Sequence, residues 1–107
     1  ISAYPTPLAS SKLGMIKLLR DEFKILIGLS DHTLGNEAAI AAVSLGAVAI
    51  EKHFILDRSV GGEDSSFSVE PKEFSKLVKT TKEVWKSLRD KSWTRTPAEN
   101  KNKKFRR

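Results

Sequence analysis

The hydrophobic positions of the chain follow two different spacings, and the two alternate along its length. From Leu8 to Phe23 they recur at helical spacing, with charged residues between them. Residues 25–30 form a nearly continuous apolar run, which is typical of a strand buried on both faces of a parallel sheet. A second such strand is predicted over residues 48–54, and helical patterns occur at residues 37–45 and from Pro71 to about Asp90. The chain is therefore predicted to alternate between strands and helices.

The segments between these elements indicate turns and one long loop. Ile1 to Tyr4 has the pattern of a strand end, and the prolines of the Tyr4–Pro7 segment predict a turn after it. Residues 56–69 are rich in Gly, Ser and Asp and too long for a simple connection, so we expect a functional loop. Alternating strands and helices predict a parallel sheet covered by helices, either a barrel or an open doubly wound sheet. The sequence has no glycine motif for a dinucleotide or a phosphate loop, which favours the barrel.

The positive charge of the chain is concentrated at one end. The formal net charge is +6, and a basic face would ordinarily indicate a nucleic-acid partner. Five of the six units come from residues 101–107, so the alternative of a small basic nucleic-acid-binding module applies to a tail and not to the fold. The chain has no cysteine, which excludes thiolate metal sites, and no membrane-spanning or signal-peptide pattern. We therefore expect a soluble cytoplasmic protein that binds neither nucleic acid nor a membrane.

The two histidines of the chain lie at matching places in the pattern. His32 and His53 are 21 residues apart, and each comes near the carboxyl end of a predicted strand. If the two strands are neighbours in a barrel, both imidazoles face the mouth where barrel enzymes carry their catalytic groups. Two neutral imidazoles can hold a divalent metal and leave positions open for water and substrate. The alternative is that each histidine only hydrogen-bonds a loop.

Charged and hydroxyl-bearing residues near these histidines are further candidates. Glu51 follows an apolar run, so its carboxylate would be costly to bury unless it is paired or bound to a cation. Strand alternation also places it on the same side as His53, facing away from Lys52. A general base or a carboxylate close to a metal fits these features, and a salt bridge to a neighbouring strand is the alternative. The Gly61–Ser68 segment would suit a loop that closes over a hydroxyl-rich ligand, although an ordinary solvated loop has the same composition.

Four short segments, taken together and in order, resemble the nonulosonic acid synthases, the enzymes that make N-acetylneuraminate and its bacterial relatives. The resemblance extends from Ser2 to about Trp85. The segments that carry it are Ser2–Pro7, Gly28–Gly35, Ile50–Phe54, and Gly62–Asp64 with Ser68 and Pro71.

The resemblance implies a fold and a domain arrangement. The catalytic domain of that family is a (β/α)8 TIM barrel, and residues 1–90 would be its last three strand-helix units. Residues 91–107 would be a linker toward an antifreeze-like (SAF) domain, which in the family caps the active site of the partner in a homodimer. Three strand-helix units cannot close a barrel, so residues 1–107 alone are expected to associate through exposed sheet edges. The lysine and the other phosphate ligands that the family carries on its earlier strands are not among them, so we expect no catalysis from these residues alone.

The resemblance also implies a reaction and a set of site residues. The family condenses phosphoenolpyruvate with the aldehyde of an N-acetylated amino sugar, which gives a nine-carbon 2-keto acid, and it uses Mn²⁺ or Mg²⁺. His32 and His53 match the metal ligands, and Glu51 matches the acidic catalytic residue. Three positions match substrate contacts, which are Tyr4 and Ser30 for phosphoenolpyruvate and Asp64 for the sugar. Ser2 is a further expected contact with the phosphate, at a position where the sialic branch often has asparagine, and this difference favours the pseudaminic branch.

One segment separates the branches of the family. The residues from Gly61 to Ser68 resemble the pseudaminic acid synthases, which favours a trideoxy diacetamido hexose as the sugar, with N-acetylneuraminate or legionaminic acid as the next products. Another metal-dependent barrel enzyme, such as an aldolase, isomerase or hydrolase, would share the two histidines and the glutamate and is the alternative among enzymes.

Overall fold

The structure, a computed structural model, describes residues 4–89, 91, 93, 97 and 98. The predicted strand end before Tyr4 and the predicted substrate contact of Ser2 lie outside the described residues. So does most of the predicted linker over residues 91–107.

The described chain alternates helices and strands, as the sequence predicts. Three helices cover a parallel sheet of two strands within the described residues, and single 3₁₀ turns lie at Leu8–Ser10, Arg58–Val60 and Ser65–Phe67. In chain order the main elements are α1 (Gly14–Phe23), β1 (Leu29–Asp31), α2 (Glu37–Ser44), β2 (Ile50–Lys52) and α3 (Pro71–Arg89).

The first helix begins six residues later than its hydrophobic pattern predicts, at Gly14 and not at Leu8. Lys12 has a φ of 51°, and a residue in the left-handed region cannot continue a right-handed helix. The turn before it is closed by the Ser11 amide, which donates to the Leu8 carbonyl at 3.1 Å. Lys24, also left-handed at a φ of 54°, ends α1 as predicted.

The two strands pair in register over three residues. Leu29, Ser30 and Asp31 lie opposite Ile50, Glu51 and Lys52. Asp31 is therefore the last residue of β1, so this strand ends one residue later than the predicted strand over residues 25–30.

Gly28 allows the two strands to approach just before this ladder. A Cβ at Gly28 would lie 2.9 Å from the Ala49 carbonyl oxygen, so a larger residue would force the strands apart.

The core lies between the sheet and the first two helices. Small side chains let α2 lie close to the sheet, since Ala38, Ala39 and Ala42 have no exposed surface. The prediction that residues 25–30 are buried on both faces is wrong at its start, because Leu26 is 79% exposed. The hydrogen-bonded ladder begins only after it, and no described element covers that side chain. The cluster comprises Ile16, Leu29, Ala38, Ala42 and Ala47, with Leu13, Ile27, Leu45 and Ile50 packed around it.

Helix α3 packs along α2 and buries Leu77. The long loop between β2 and α3 is confirmed, and it returns to the sheet at Val69, whose amide donates to the His53 carbonyl at 2.8 Å. Among the described residues, none of the helices has both the length and the hydrophobicity that crossing a bilayer requires.

Candidate active site

The predicted site residues that the structure describes meet at one edge of the sheet. The ring centroids of His32 and His53 are 5.3 Å apart, and the Tyr4 ring lies 4.3 Å from His32 and 6.0 Å from His53. The backbone brings Tyr4 there because the Thr6 amide donates to the His32 carbonyl at 2.9 Å. Carboxyl ends of parallel strands meet at the same edge of a sheet, so the matched placement of the two histidines produces this contact.

Ser30 connects Glu51 to His32. Its hydroxyl donates to Glu51 Oε1 at 2.7 Å, and its oxygen lies 3.2 Å from His32 Nε2. A hydroxyl has one proton to donate, so the oxygen that gives its proton to Glu51 can accept a hydrogen bond from Nε2. His32 Nδ1 is buried and has no hydrogen-bond partner among the described residues.

His53 is bordered by the long loop. Its Nδ1 lies 3.5 Å from Asp64 Oδ2, and both side chains are partly exposed. The Phe67 ring packs 5.2 Å from His53 and 5.4 Å from Tyr4, and it is buried. Ser68 holds this segment because its hydroxyl donates to the Asp64 carbonyl at 2.6 Å. Phe67 is a site residue that the sequence interpretation missed, although an aromatic side chain within a polar loop was a signal for it.

Glu51 lies on the open side of β2, where its side chain is exposed. The condition that would make this carboxylate costly, its burial, is therefore not met, because alternation along β2 turns Glu51 toward the site and the neighbouring Lys52 toward the interior. The expected side is confirmed, since Glu51 and His53 both face the site.

Asp31 is the buried carboxylate of this region, and it was not among the predicted residues. Its Oδ2 accepts from Lys52 Nζ at 2.9 Å, and the two side chains are 0% and 1% exposed. A salt bridge between neighbouring strands, the alternative considered for Glu51, is thus formed by the next residue on each strand, Asp31 after Ser30 and Lys52 after Glu51. The sequence signal was the 21-residue offset, which relates Asp31 to Lys52 just as it relates His32 to His53.

Arg58 anchors the base of the long loop on the start of α3. Its Nη1 donates to the Ser68 carbonyl at 3.1 Å and to the Glu73 carboxylate, and its Nη2 lies 3.3 Å from Glu70 Oε1. The Glu70 amide and then the Arg58 guanidinium hold the pKa of Glu73 below its usual range. Hydrogen bonding to Glu73 raises the pKa of Arg58 further above its usual value.

The donor chemistry of the site suits a divalent metal with open positions. Two imidazoles lie side by side, and each has a carboxylate close by, Glu51 through Ser30 and Asp64 directly. His32 Nδ1 is buried, and no group of the described chain forms a hydrogen bond with it. Within residues 4–89 and the four described beyond them, no group of three or more His, Cys, Asp or Glu is placed to hold a metal. Water or substrate would therefore have to complete the coordination of a metal held here.

Comparisons with known proteins give consistent results. A model of the NeuB family matches residues 1–92. The chain is 44% identical over 89 residues to the pseudaminic acid synthase of Campylobacter jejuni subsp. jejuni serotype O:23/36 (strain 81-176), which is 83% of this chain and 26% of that protein. It is 39% identical over 99 residues to the N,N'-diacetyllegionaminic acid synthase of Campylobacter jejuni subsp. jejuni serotype O:2 (strain ATCC 700819 / NCTC 11168), which is 92% of this chain and 30% of that protein.

A solved structure gives the same result for the fold. The N-acetylneuraminic acid (sialic acid) synthetase of Leptospira borgpetersenii serovar Hardjo-bovis, in complex with citrate, superposes with a TM-score of 0.82 at 36% identity, over 99% of this chain and 37% of that one. The predicted fold class, a fragment of a (β/α)8 barrel, is confirmed by this likeness. The chain spans 26% and 30% of the length of the two curated relatives. The match over residues 1–92 shows that this chain belongs to the NeuB family, that of the nonulosonic acid synthases.

Proposed function

We propose that this chain supplies the metal-binding part of the active site of a synthase that condenses phosphoenolpyruvate with the aldehyde of an N-acetylated amino sugar. The product is a nine-carbon 2-keto acid. The observation that carries the proposal is the meeting of His32, His53 and Glu51 at the carboxyl ends of adjacent parallel strands, with Tyr4 and Asp64 beside them. Membership of the NeuB family supports it.

His32 and His53 would hold the divalent cation, Mn²⁺ or Mg²⁺. A cation there supplies Lewis-acid chemistry, which makes the sugar aldehyde more electrophilic. The buried Nδ1 of His32, which has no hydrogen-bond partner in the described chain, and the contact between the two rings support this assignment. Ser30 and Asp64 each approach one imidazole and orient it, as neighbours of metal-binding histidines usually do.

Glu51 is the proposed proton-transfer residue. Its carboxylate is exposed on the site side of β2, so a substrate hydroxyl or a water molecule can reach it. The hydrogen bond from Ser30 to Oε1 fixes the orientation of the carboxylate at 2.7 Å. Glu51 would accept or return a proton of the sugar or of the water that adds during the reaction.

The substrate contacts are proposed around this centre. Ser30 and Tyr4 would contact phosphoenolpyruvate, and Asp64, on the partly exposed loop, would accept hydrogen bonds from sugar hydroxyls. A contact of Ser2 with phosphoenolpyruvate rests on the resemblance of the sequence alone.

A trideoxy diacetamido hexose that leads to pseudaminic acid is the favoured sugar, because the Gly61–Ser68 segment resembles that branch. Legionaminic acid and N-acetylneuraminate are the next candidate products. Relatives of the pseudaminic and legionaminic kinds match at 44% and 39% identity. A homodimer is also part of the proposal.

The test is phosphate release by the complete gene product. It should release phosphate from phosphoenolpyruvate only when an N-acetylated amino sugar is also present, and the diacetamido sugar should give the fastest rate. The Glu51→Gln variant, which keeps the shape of the side chain, is the matched control and should be nearly inactive. Turnover of a sugar without phosphoenolpyruvate would instead indicate an aldolase or isomerase, and no release with any amino sugar would refute the synthase.

A further inference from the structure

A buried ion pair lies one residue before the two histidines on both strands. Asp31 immediately precedes His32, Lys52 immediately precedes His53, and the two charged residues are register partners at the end of the ladder. Successive side chains of a strand point to opposite faces, so the pair lies on the face opposite Ser30 and Glu51. Neither charged side chain is accessible, since they are 0% and 1% exposed.

The pair also fixes the loop that contains His32. Lys52 Nζ donates to Asp31 Oδ2 at 2.9 Å, to the Thr33 carbonyl at 2.9 Å and to the Gly35 carbonyl at 3.0 Å, which uses all three ammonium protons. Asp31 Oδ1 accepts from the Thr33 amide at 2.9 Å and from the Thr33 hydroxyl at 2.6 Å. Residues 31–35 are therefore folded around one ammonium group, and His32 lies within that segment.

Stability alone does not account for such a pair. A buried ion pair is costly to desolvate, and apolar residues of similar volume often stabilise a fold as well or better. What the pair provides is a single geometry, because a lysine with three fixed acceptors and an aspartate with three fixed donors allow few other arrangements.

We propose that Asp31 and Lys52 are positioning residues that hold the imidazole of His32 beside that of His53, so that divalent-metal affinity depends on them. This inference rests on the proposed function. Both side chains are buried on the face opposite Ser30 and Glu51, so they would act on the metal only through His32. A ligand set that is held in place before binding does not lose conformational freedom when the metal binds, and it therefore binds more tightly.

The direct test is the affinity of the complete gene product for Mn²⁺. The protein is titrated with Mn²⁺, and the concentration of free Mn²⁺ is measured by electron paramagnetic resonance. Lys52→Met keeps a side-chain stem and removes the ammonium group. Leu77→Ala is the matched control, because it removes a buried side chain of α3 that is 3% exposed and takes no part in the hydrogen bonds of the 31–35 segment. Lys52→Met should raise the Kd for Mn²⁺ by about tenfold or more, whereas Leu77→Ala should change it by less than about twofold.

A double variant separates stability from positioning. Asp31→Asn combined with Lys52→Met leaves no unpaired buried charge, so the double variant should recover much of the melting temperature lost by Lys52→Met. It can therefore be measured even if the single variant fails to fold. Its Kd for Mn²⁺ should stay raised by about tenfold. Recovery of wild-type affinity in the double variant, or equal losses of affinity in Lys52→Met and Leu77→Ala, would overturn the inference.

The outcome also distinguishes this inference from the proposed function. Wild-type protein that binds no Mn²⁺ and no Mg²⁺ contradicts the metal-dependent synthase itself. The positioning claim is then decided by the ring resonances of His32 and His53 in the nuclear magnetic resonance spectrum, which need no metal. Altered or multiplied His32 resonances in the double variant, with unchanged ones in Leu77→Ala, support it, and unchanged resonances in both refute it.

Discussion

Two charged clusters border the candidate site, and they are built in opposite ways. Asp31 and Lys52 join neighbouring strands, and their side chains are almost completely buried. Arg58, Glu70 and Glu73 join the long loop to the start of α3, and their side chains are 32–47% exposed. The first cluster supports the residues at the strand ends, and the second supports the loop that carries Asp64.

The difference in exposure predicts a difference in rigidity. Removing one partner from a buried pair costs about 3–5 kcal/mol, because the other charge is left without water or a counterion. An exposed pair contributes about 0–1 kcal/mol, since water and salt screen it. His32 and His53 therefore lie on a part of the site with one strongly preferred geometry, whereas Asp64 lies on a loop that can adjust at little cost. This difference fits the proposed roles, in which the two histidines hold a metal and Asp64 accepts hydrogen bonds from a sugar.

Lys52→Met should have the largest effect on stability. It leaves the buried Asp31 carboxylate unpaired, so the free energy of unfolding of the complete gene product should fall by about 3–5 kcal/mol. Urea unfolding followed by circular dichroism measures this loss. A loss below about 1 kcal/mol would mean that water reaches Asp31 and that the two clusters do not differ as described.

Glu51→Gln should have the largest effect on catalysis at the strand ends. The amide keeps the hydrogen bond from Ser30 but cannot transfer a proton, so kcat should fall about 100-fold or more while the melting temperature stays close to that of the wild type. Steady-state phosphate release measures it. If kcat falls in Glu51→Ala but does not fall in Glu51→Gln, the side chain of Glu51 serves packing and not proton transfer.

Asp64→Asn should have a smaller effect, confined to the sugar. Because the carboxylate is partly exposed and its loop can adjust, we expect the KM for the sugar to rise about tenfold, which is about 1.4 kcal/mol. The KM for phosphoenolpyruvate should change little. Equal increases in both KM values would place Asp64 on the shared metal site and not on the sugar side.

Arg58→Met should have the smallest effect. Its ion pairs are exposed, so the loss of stability should be far smaller than that of Lys52→Met and should vanish near 1 M salt, where the screening length is about 3 Å. The effect of Lys52→Met should persist in the same salt. A salt-independent loss in Arg58→Met would show that the loop anchor is buried in the complete protein.

The exposed cluster should also respond to acid. The pKa of Glu73 is lowered in the fold, so its contribution is present above its usual pKa of 4.5 and is lost as the pH falls through the lowered value. Between about pH 6 and about pH 3, wild-type protein should lose about 0.2–1 kcal/mol more stability than Glu73→Gln. Identical acid unfolding of the two proteins would contradict this contribution.

Hydrophobic spacing predicted the order of the elements because each helix and strand has one repeating apolar pattern. It could not place the start of α1, since the left-handed Lys12 has no hydrophobic signature. The strand ends were also displaced, because a hydrogen-bonded ladder ends where pairing ends and not where hydrophobicity ends. Asp31 in β1 and the exposed Leu26 both follow from that difference.

The sequence does show the features that gather the candidate residues of the site. Tyr4, Ser30, His32, Glu51, His53 and Asp64 lie together as expected, since motif positions and strand ends bring them to one edge. The roles of these residues remain predictions. The Asp31–Lys52 pair was missed because a buried ion pair depends on strand register. Phe67 was missed because its position depends on how the loop folds back. Hydrophobic spacing gives no information on strand register or on the path of a loop.

The central claim is tested most directly by measuring phosphate released from phosphoenolpyruvate by the complete gene product, with Mn²⁺ and an N-acetylated amino sugar, against the His32→Gln variant. We predict sugar-dependent release by the wild type and a loss of about 100-fold or more in the variant. Release that is independent of the sugar, or that is unchanged in His32→Gln, would contradict a metal-dependent synthase site at the ends of β1 and β2.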